Sequence, residues 1–180
     1  DCGYEWDRAW EICTKTFAYT NHTVMQEALE KWDCNLMKSV TPRIFSIIVE
    51  INERYCRDLW EKTHDEAKCT RMSIISNNMV KMANLCVHAS HSVNGVAKIH
   101  SEIIKVDTFA DENSVTPEKF KNVTNGIAYR RWLYQSNPGL TNLLCECIGD
   151  GFLKDASKLS DFKKFENDKA VLERRLLITI

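Results

Sequence analysis

No stretch of this 180-residue chain approaches the eighteen or so apolar residues that a membrane span needs, and no signal peptide precedes Asp1. No membrane partner is expected, and the expected location is the cytoplasm. An excess of either charge is also lacking. The 24 Lys plus Arg stand against 25 Asp plus Glu, so no uniform field points to nucleic acid or an anionic surface. There is no Walker loop, zinc motif or nucleophile elbow, and no internal repeat or low-complexity tract. Eight cysteines are present, but Cys56, Cys69 and Cys86 are far apart, and Cys145-Glu146-Cys147 leaves one residue between its thiols. That is not zinc spacing. They read as free thiols of a reducing compartment, mostly small core residues, and no metal site is expected. Asp1 is no initiator methionine, and Leu176–Ile180 is an apolar finish with no cap. The chain therefore reads as a truncated form or a piece cut from a longer protein.

What is present is about one domain's length of chain, enough to bury a core. Trp6, Trp10 and Cys13 recur at spacings of four and three, which predicts a helix over residues 6–15. Phe17–Thr20 reads as a brief buried strand ended by Asn21-His22-Thr23. Thr23 with Gln26 has the form of a capping box for a short helix Met25–Trp32. Thr41-Pro42 starts a helix of about twenty residues, with Ile44, Ile47, Ile48, Ile51, Tyr55 and Leu59 on one broad stripe. Lys62–Arg71 reads as a charged surface connection with a short helical turn. The stretch Ala83–Ser101 opens as an apolar run, passes through Ser90, His91, Ser92, Asn94 and Gly95, and resumes as a helix with Val96, Ile99 and Ile103 on one face. Strand, Gly-containing turn and helix in that order commonly build a ligand site in α/β proteins. Asp107–Lys121 reads as a long connection with a turn of helix after the Thr116-Pro117 cap, and Asn122–Gly126 as a turn. Asn137-Pro138-Gly139 starts a helix that Gly149 ends. Phe152–Phe165 reads as short surface helices, and Asn167 as the cap of a last helix. Asn21-His22-Thr23 and Asn122-Val123-Thr124 match the glycosylation pattern, with no modification expected.

Three turns collect unusual chemistry: Tyr19–Thr23, Ser90–Gly95, and Thr124-Asn125-Gly126 followed by Arg130-Arg131-Trp132. His and Asn beside strand ends can bind sugar hydroxyls through paired donors and acceptors. Two arginines can hold a phosphate, and Trp132 offers a flat apolar face to a ring. Three ordinary polar turns that satisfy their own backbone are the competing account. Composition and periodicity stop there.

The runs Thr16–Thr23, Glu27–Glu30, Ser90–Ser101 and Thr124–Ile127 closely resemble the glycogen and α-glucan phosphorylase family. Arg130–Leu133 and Asn137–Leu140 match it too, in the same order and at similar spacing, from about residue 5 to about residue 175. The resemblance implies a parent enzyme that cleaves terminal α-1,4-glucosidic bonds of glycogen, starch or maltodextrin with inorganic phosphate, giving glucose 1-phosphate. Its cofactor would be pyridoxal 5'-phosphate, with the attachment lysine outside this chain, and the parent would be a homodimer. The implied fold is α/β and helix-rich. Residues 1–125 would be the later part of the N-terminal Rossmann-like domain of a two-domain GT-B-type glycosyltransferase. Residues 126–180 would be the domain junction and helices entering the cofactor-binding half.

Carried over by position, His22 matches the histidine that contacts the glucosyl residue at the cleaved bond, and Asn125 the asparagine that binds the same sugar. Val96 lines that pocket. His91 and Asn94 join the substrate turn, holding it or touching the sugar. Trp132 matches the tryptophan near the cofactor, and Arg130 and Arg131 anchor the junction through carboxylates. Ala89, Ala128-Tyr129 and Met25-Gln26 depart from the family's frequent Gly, Thr-Pro and Leu-Pro, and none of these changes removes His22 or Asn125. The isolated chain is expected to be inactive, lacking its missing partner, the remainder of the enzyme. A non-catalytic carbohydrate-binding or structural fragment of the same fold is the alternative.

Overall fold

Trp6, Trp10 and Cys13 are all half-buried on α1 (Trp6–Thr16), as their spacing predicts. The structure is a computed structural model that describes residues 3–178. The expectations for Asp1-Cys2 and Thr179-Ile180 lie outside the described residues. Chain contacts divide it into Asp1–Asn125 and Gly126–Ile180.

In the first unit α1 is followed by β1 (Tyr19–Asn21). The strand starts after Phe17 because the Phe17 N–H still closes the helix on Cys13 O at 3.0 Å. The expected helix Met25–Trp32 is reduced to one 3-10 turn, Gln26–Ala28, and Lys31–Asp33 is instead a strand, β2. Asn21 Oδ1 takes the Thr23 N–H at 2.9 Å, and β2 pairs with a later strand, so long-range pairing overrides the capping pattern. Asp33 caps α2 (Cys34–Val40), accepting from Leu36 N at 3.0 Å. The long helix α3 (Pro42–Thr63) begins at Pro42 as expected, but Thr41 donates its hydroxyl backwards to Met37 O instead of capping. It closes on His64 in the left-handed region, φ 50°. Asp65 caps α4 (Glu66–Met72), a helix of seven residues that extends the short helical turn expected in this connection.

β3 (Ile75–Ser76) and β4 (Met79–Lys81) form a hairpin through Asn77 and Asn78, whose φ values are 52° and 58°. Two positive φ angles in a two-residue loop match the twist of the flanking strands, and Asn tolerates them. The apolar run after it is not a strand. It forms α5 (Met82–Ala89), burying Ala83, Asn84 and Val87 at helical spacing, and the strand of that stretch is the later β5 (Val93–Gly95). Asn84 Nδ2 holds the helix in place by donating to the carbonyls of Arg71, Met72 and Ser73. Next come α6 (Lys98–Ile103), a π-helical turn Ile104–Thr108, α7 (Ala110–Val115) and a 3-10 turn Pro117–Lys119. β6 (Phe120–Asn122) ends the region expected to be one long connection.

Two open sheets result. One is antiparallel in the order β2-β4-β3, the other parallel in the order β1-β5-β6. Each has its own core. Ile48, Tyr55, Leu59, Met72, Ile74 and Val80 pack with the antiparallel sheet, whereas Val87, Val93, Ile104, Phe109 and Phe120 pack with the parallel one. Asn52 Oδ1 accepts from both Ile74 N and Ile75 N, joining α3 to the first sheet.

The second unit has a π-helical turn, Arg130–Gln135, and then α8 (Pro138–Ile148), where Asn137 caps Leu140 N at 3.0 Å and Gly149 ends the helix at φ 76°. Two 3-10 segments follow, Asp150–Leu153 and Ala156–Phe165. The last helix, α9 (Lys169–Ile178), is capped by Asp168, whose carboxylate accepts from Ala170 N and Val171 N, not by Asn167. Thr141, Leu143, Leu144 and Phe152 are buried here. Among the described residues no helix is long and apolar enough to cross a membrane. Seven described cysteines are free thiols; Cys34 alone of these is fully buried, and the other six are half-buried, Cys69 against the first core.

Candidate functional site at the carboxyl edge of the parallel sheet

Asn21, Gly95 and Asn122 pair in register as the last residues of β1, β5 and β6. The residues that follow are His22, Val96 and Val123-Thr124-Asn125. Three loops that are distant in sequence therefore leave the same edge of one parallel sheet, the edge at which open α/β sheets bind ligands. His22 and Asn125 are exposed and Val96 is half-buried. Chain topology thus brings together three of the residues singled out from the sequence.

The loops are shaped by buried polar contacts. Asn21 is 1% exposed; its Nδ2 donates to Tyr19 Oη at 3.1 Å, and its Oδ1 turns the chain at His22 by accepting from Thr23 N. Gly95 lies against α6, so a Cβ there would fall 2.8 Å from Ser101 Cα. Only glycine permits that approach. The buried Ser101 donates to Ala97 O and accepts from Asn122 Nδ2 at 2.8 Å, and Asn122 Nδ2 also reaches Gly95 O. The amide nitrogens of Asn21 and Asn122, the two glycosylation-pattern asparagines, are both hydrogen-bonded within the first unit, Asn21 buried and Asn122 at the surface. His100, 7% exposed, accepts from Val96 N through Nδ1 at 3.3 Å, and its Nε2 lies 3.4 Å from Thr23 O. Thr108 Oγ1 donates to Val24 O at 3.2 Å, a second anchor for the loop after β1. Sequence reading passed over His100, Ser101 and Asn122. The signal for the first two was a His-Ser pair five and six residues after Gly95, on the helix that follows.

Asn94 lies on β5 and donates from Nδ2 to Val123 O at 3.2 Å, tying its strand to the Asn125 loop. Its Oδ1 is buried without a partner, an acceptor that costs stability unless a ligand or another chain segment supplies a donor. His91 does not join this group. It precedes β5, and its N–H bonds to Phe17 O ahead of β1, at the amino ends of the strands. In the second unit, Trp132 is 64% exposed on the π-helical turn. Arg130 stacks over Tyr129 and donates to Leu153 O at 2.6 Å and Lys154 O at 3.2 Å. Those partners are carbonyls, not the carboxylates expected; Arg131 is exposed. No group of three or more His, Cys, Asp or Glu capable of holding a metal occurs among the described residues.

Elsewhere in the first unit, an open cavity of about 420 Å³ is lined by Arg71, Lys81, Asn84, Asp111 and Glu112, among others. Arg71 pairs with Asp111 at 2.6 Å, which holds the Asp111 carboxyl below its usual range. Burial pushes Glu112 up to about 7 and pulls the Lys81 ammonium down. Lys81 Nζ is engaged by Thr70 O and Arg71 O, and Lys119 Nζ by Val87 O and His88 O. His88 stacks on Tyr55 at 3.9 Å, and burial pulls its imidazole down to about 3.

A family profile described as "Carbohydrate phosphorylase" matches residues 1–178. This chain belongs to the carbohydrate phosphorylase family. It is 46% identical over 170 residues to a glycogen phosphorylase of Bacillus subtilis, covering 94% of this chain and 21% of that protein. It is 48% identical over 173 residues to the liver-form glycogen phosphorylase of Ovis aries and 46% over 171 residues to that of Homo sapiens. In both, the match covers 93% of this chain and 20% of the relative. The chain thus spans about a fifth of the length of the phosphorylases it matches. Its fold is a helix-rich α/β arrangement with open parallel and antiparallel sheets, in keeping with a Rossmann-like fold.

Proposed function

We propose that the complete protein carrying this chain is an α-glucan phosphorylase, which transfers the terminal α-1,4-linked glucosyl unit of a glucan to inorganic phosphate. One observation carries the reading: His22, Val96 and Asn125 leave adjacent strands at the carboxyl edge of the parallel sheet, in a chain of the phosphorylase family. In this reading Asp1–Asn125 is the later part of the N-terminal domain of a GT-B-type enzyme, and Gly126–Ile180 is the junction toward the cofactor-binding half. The parent is a cytoplasmic homodimer.

At the cleaved bond His22 hydrogen-bonds a hydroxyl of the departing glucosyl unit, and that bond strengthens as positive charge develops in the ring. Asn125 fixes the same sugar through its amide, and Val96 gives it an apolar wall. Pyridoxal phosphate, when bound, supplies a phosphate that relays a proton to the substrate phosphate. The residues present fit that division of labour. The Trp132 ring is exposed and can flank a cofactor. The two lysines whose ammonium groups burial depresses, Lys81 and Lys119, are both engaged by backbone carbonyls. In this reading the attachment lysine lies outside the chain.

Incubating the complete protein with a maltooligosaccharide and inorganic phosphate tests the reading. Glucose 1-phosphate is expected from the complete protein and none from the 180-residue chain, even with added pyridoxal phosphate, because a half-site cannot hold two phosphates at short range. Saturable glucan binding by the complete protein without glucose 1-phosphate would leave a carbohydrate-binding fold and refute the enzyme.

A further inference from the structure

We infer that His100 is a positioning residue of the glucosyl site, the clamp that holds the loop carrying His22 against the loop carrying Val96. The inference rests on the phosphorylase reading for its consequence in catalysis, but not for its geometry. His100 is 7% exposed and reaches two loops from one ring. Nδ1 accepts the Val96 N–H at 3.3 Å, so Nδ1 carries no proton. The remaining proton of the neutral ring is then on Nε2, which lies 3.4 Å from Thr23 O and donates to it. Thr23 follows His22 directly, and its N–H is already fixed by Asn21 Oδ1. One imidazole therefore sets the spacing between the β1 and β5 loops, and only one of its tautomers serves both.

The adjacent Ser101 extends the arrangement to the third strand. Its hydroxyl accepts from Asn122 Nδ2, the residue that ends β6. Two consecutive buried side chains on α6 thus reach all three strand ends. His22 and Asn125 are themselves exposed, so their directions depend on what holds the chain beside them: His100 and Thr108 for the loop after β1, Asn94 for the loop carrying Asn125. A hydrogen bond that contributes little to global stability can still fix a side chain to within the fraction of an ångström that transition-state stabilisation needs.

The two halves of the clamp can be separated by amide substitution. Asn presents an acceptor near the position of Nδ1, and Gln presents a donor near the position of Nε2. In the complete protein, His100→Ala should lower kcat for phosphorolysis about 10- to 100-fold. His100→Gln, which retains the donor to Thr23 O, should recover more of that loss than His100→Asn, because the His22 loop hangs on that bond. Thermal unfolding of all three shows whether each is folded at the assay temperature. Nitrogen-15 NMR of the imidazole reads the tautomer independently of any activity, and a neutral ring protonated at Nε2 is expected for His100. A ring protonated at Nδ1 would overturn the clamp, as would three folded variants with equal and unchanged kcat. If the complete protein has no phosphorolytic activity, the proposed function fails alone. The tautomer and the exchange protection of the Val96 amide, which should fall in His100→Ala and His100→Gln, then decide the clamp.

Discussion

His22 carries the sharpest residue-scale expectation. Replacing it with Ala in the complete protein should cost about 30- to 1000-fold in turnover, the worth of one positioned hydrogen bond in a transition state. Glucan affinity should change far less. Folding should survive, because His22 is exposed while the neighbouring Asn21 carries the packing. Steady-state phosphorolysis beside a thermal melt checks this, and an unchanged turnover number would return His22 to a surface role. The residue was legible in the sequence only through the family blocks, since an exposed histidine after a three-residue strand has no periodic signature. Its supports were less legible still. His100 and Ser101 matter through contacts with Thr23 and Asn122, and a linear sequence gives no hint of which distant carbonyl a buried imidazole will meet. His91 stands apart from these residues for the complementary reason. It is close to Val96 in the chain, but β5 runs between them and carries the two to opposite edges of the sheet.

At the scale of elements, length decided what could be read. Trp6–Thr16, Pro42–Thr63 and Pro138–Ile148 are long enough for several turns of periodicity and have clear starts, and each helix lies where its pattern puts it. The six strands among the described residues have two or three residues each. Alternation cannot be recognised over three positions, so from the sequence β2 reads as the end of a helix and β6 as connection and turn. The Asn77-Asn78 turn is the exception that chemistry can test. Both residues have positive φ, which a β-branched side chain resists. Asn77→Val should destabilise the protein by about 1–2 kcal/mol. Asn77 makes a suitable probe because it is exposed, whereas Asn78 also holds Asp33 Oδ2 at 2.6 Å. Urea unfolding reads the difference, and equal midpoints would mean that the turn adopts another conformation.

For the whole molecule, two buried titratable groups act on stability in opposite senses. The His88 imidazole is held down to about 3 by burial. Its contribution is complete above the ordinary histidine range and is lost as pH falls through 6.5 toward 3. The Glu112 carboxyl is held up to about 7, again by burial. The folded state therefore keeps a proton that the unfolded chain releases near 4.5, and stability falls as pH rises between those values. Glu112→Gln removes the second effect alone. The variant should gain on the parent progressively from pH 4.5 to 7 and hold a constant advantage above, up to about 3 kcal/mol. Melting temperatures of the two proteins across that range measure it. A difference that does not change with pH would show that Glu112 is ionised throughout.

The order of the parallel sheet also has a consequence in time. Tyr19 of β1 waits for Val93 of β5, and β5 for Phe120 of β6, whereas the hairpin β3-β4 closes over two residues. On a ribosome adding about 5–20 residues per second, the first strand leaves the tunnel several seconds before its neighbour exists. Until β5 is made, β1 has no partner strand within this segment, and closing so long a loop is slow even once β5 is in place. The antiparallel sheet and its helices can assemble first and hold α1 and β1 nearby. The carboxyl edge of the parallel sheet, where we propose that the sugar binds, is thus among the last parts of this segment to form.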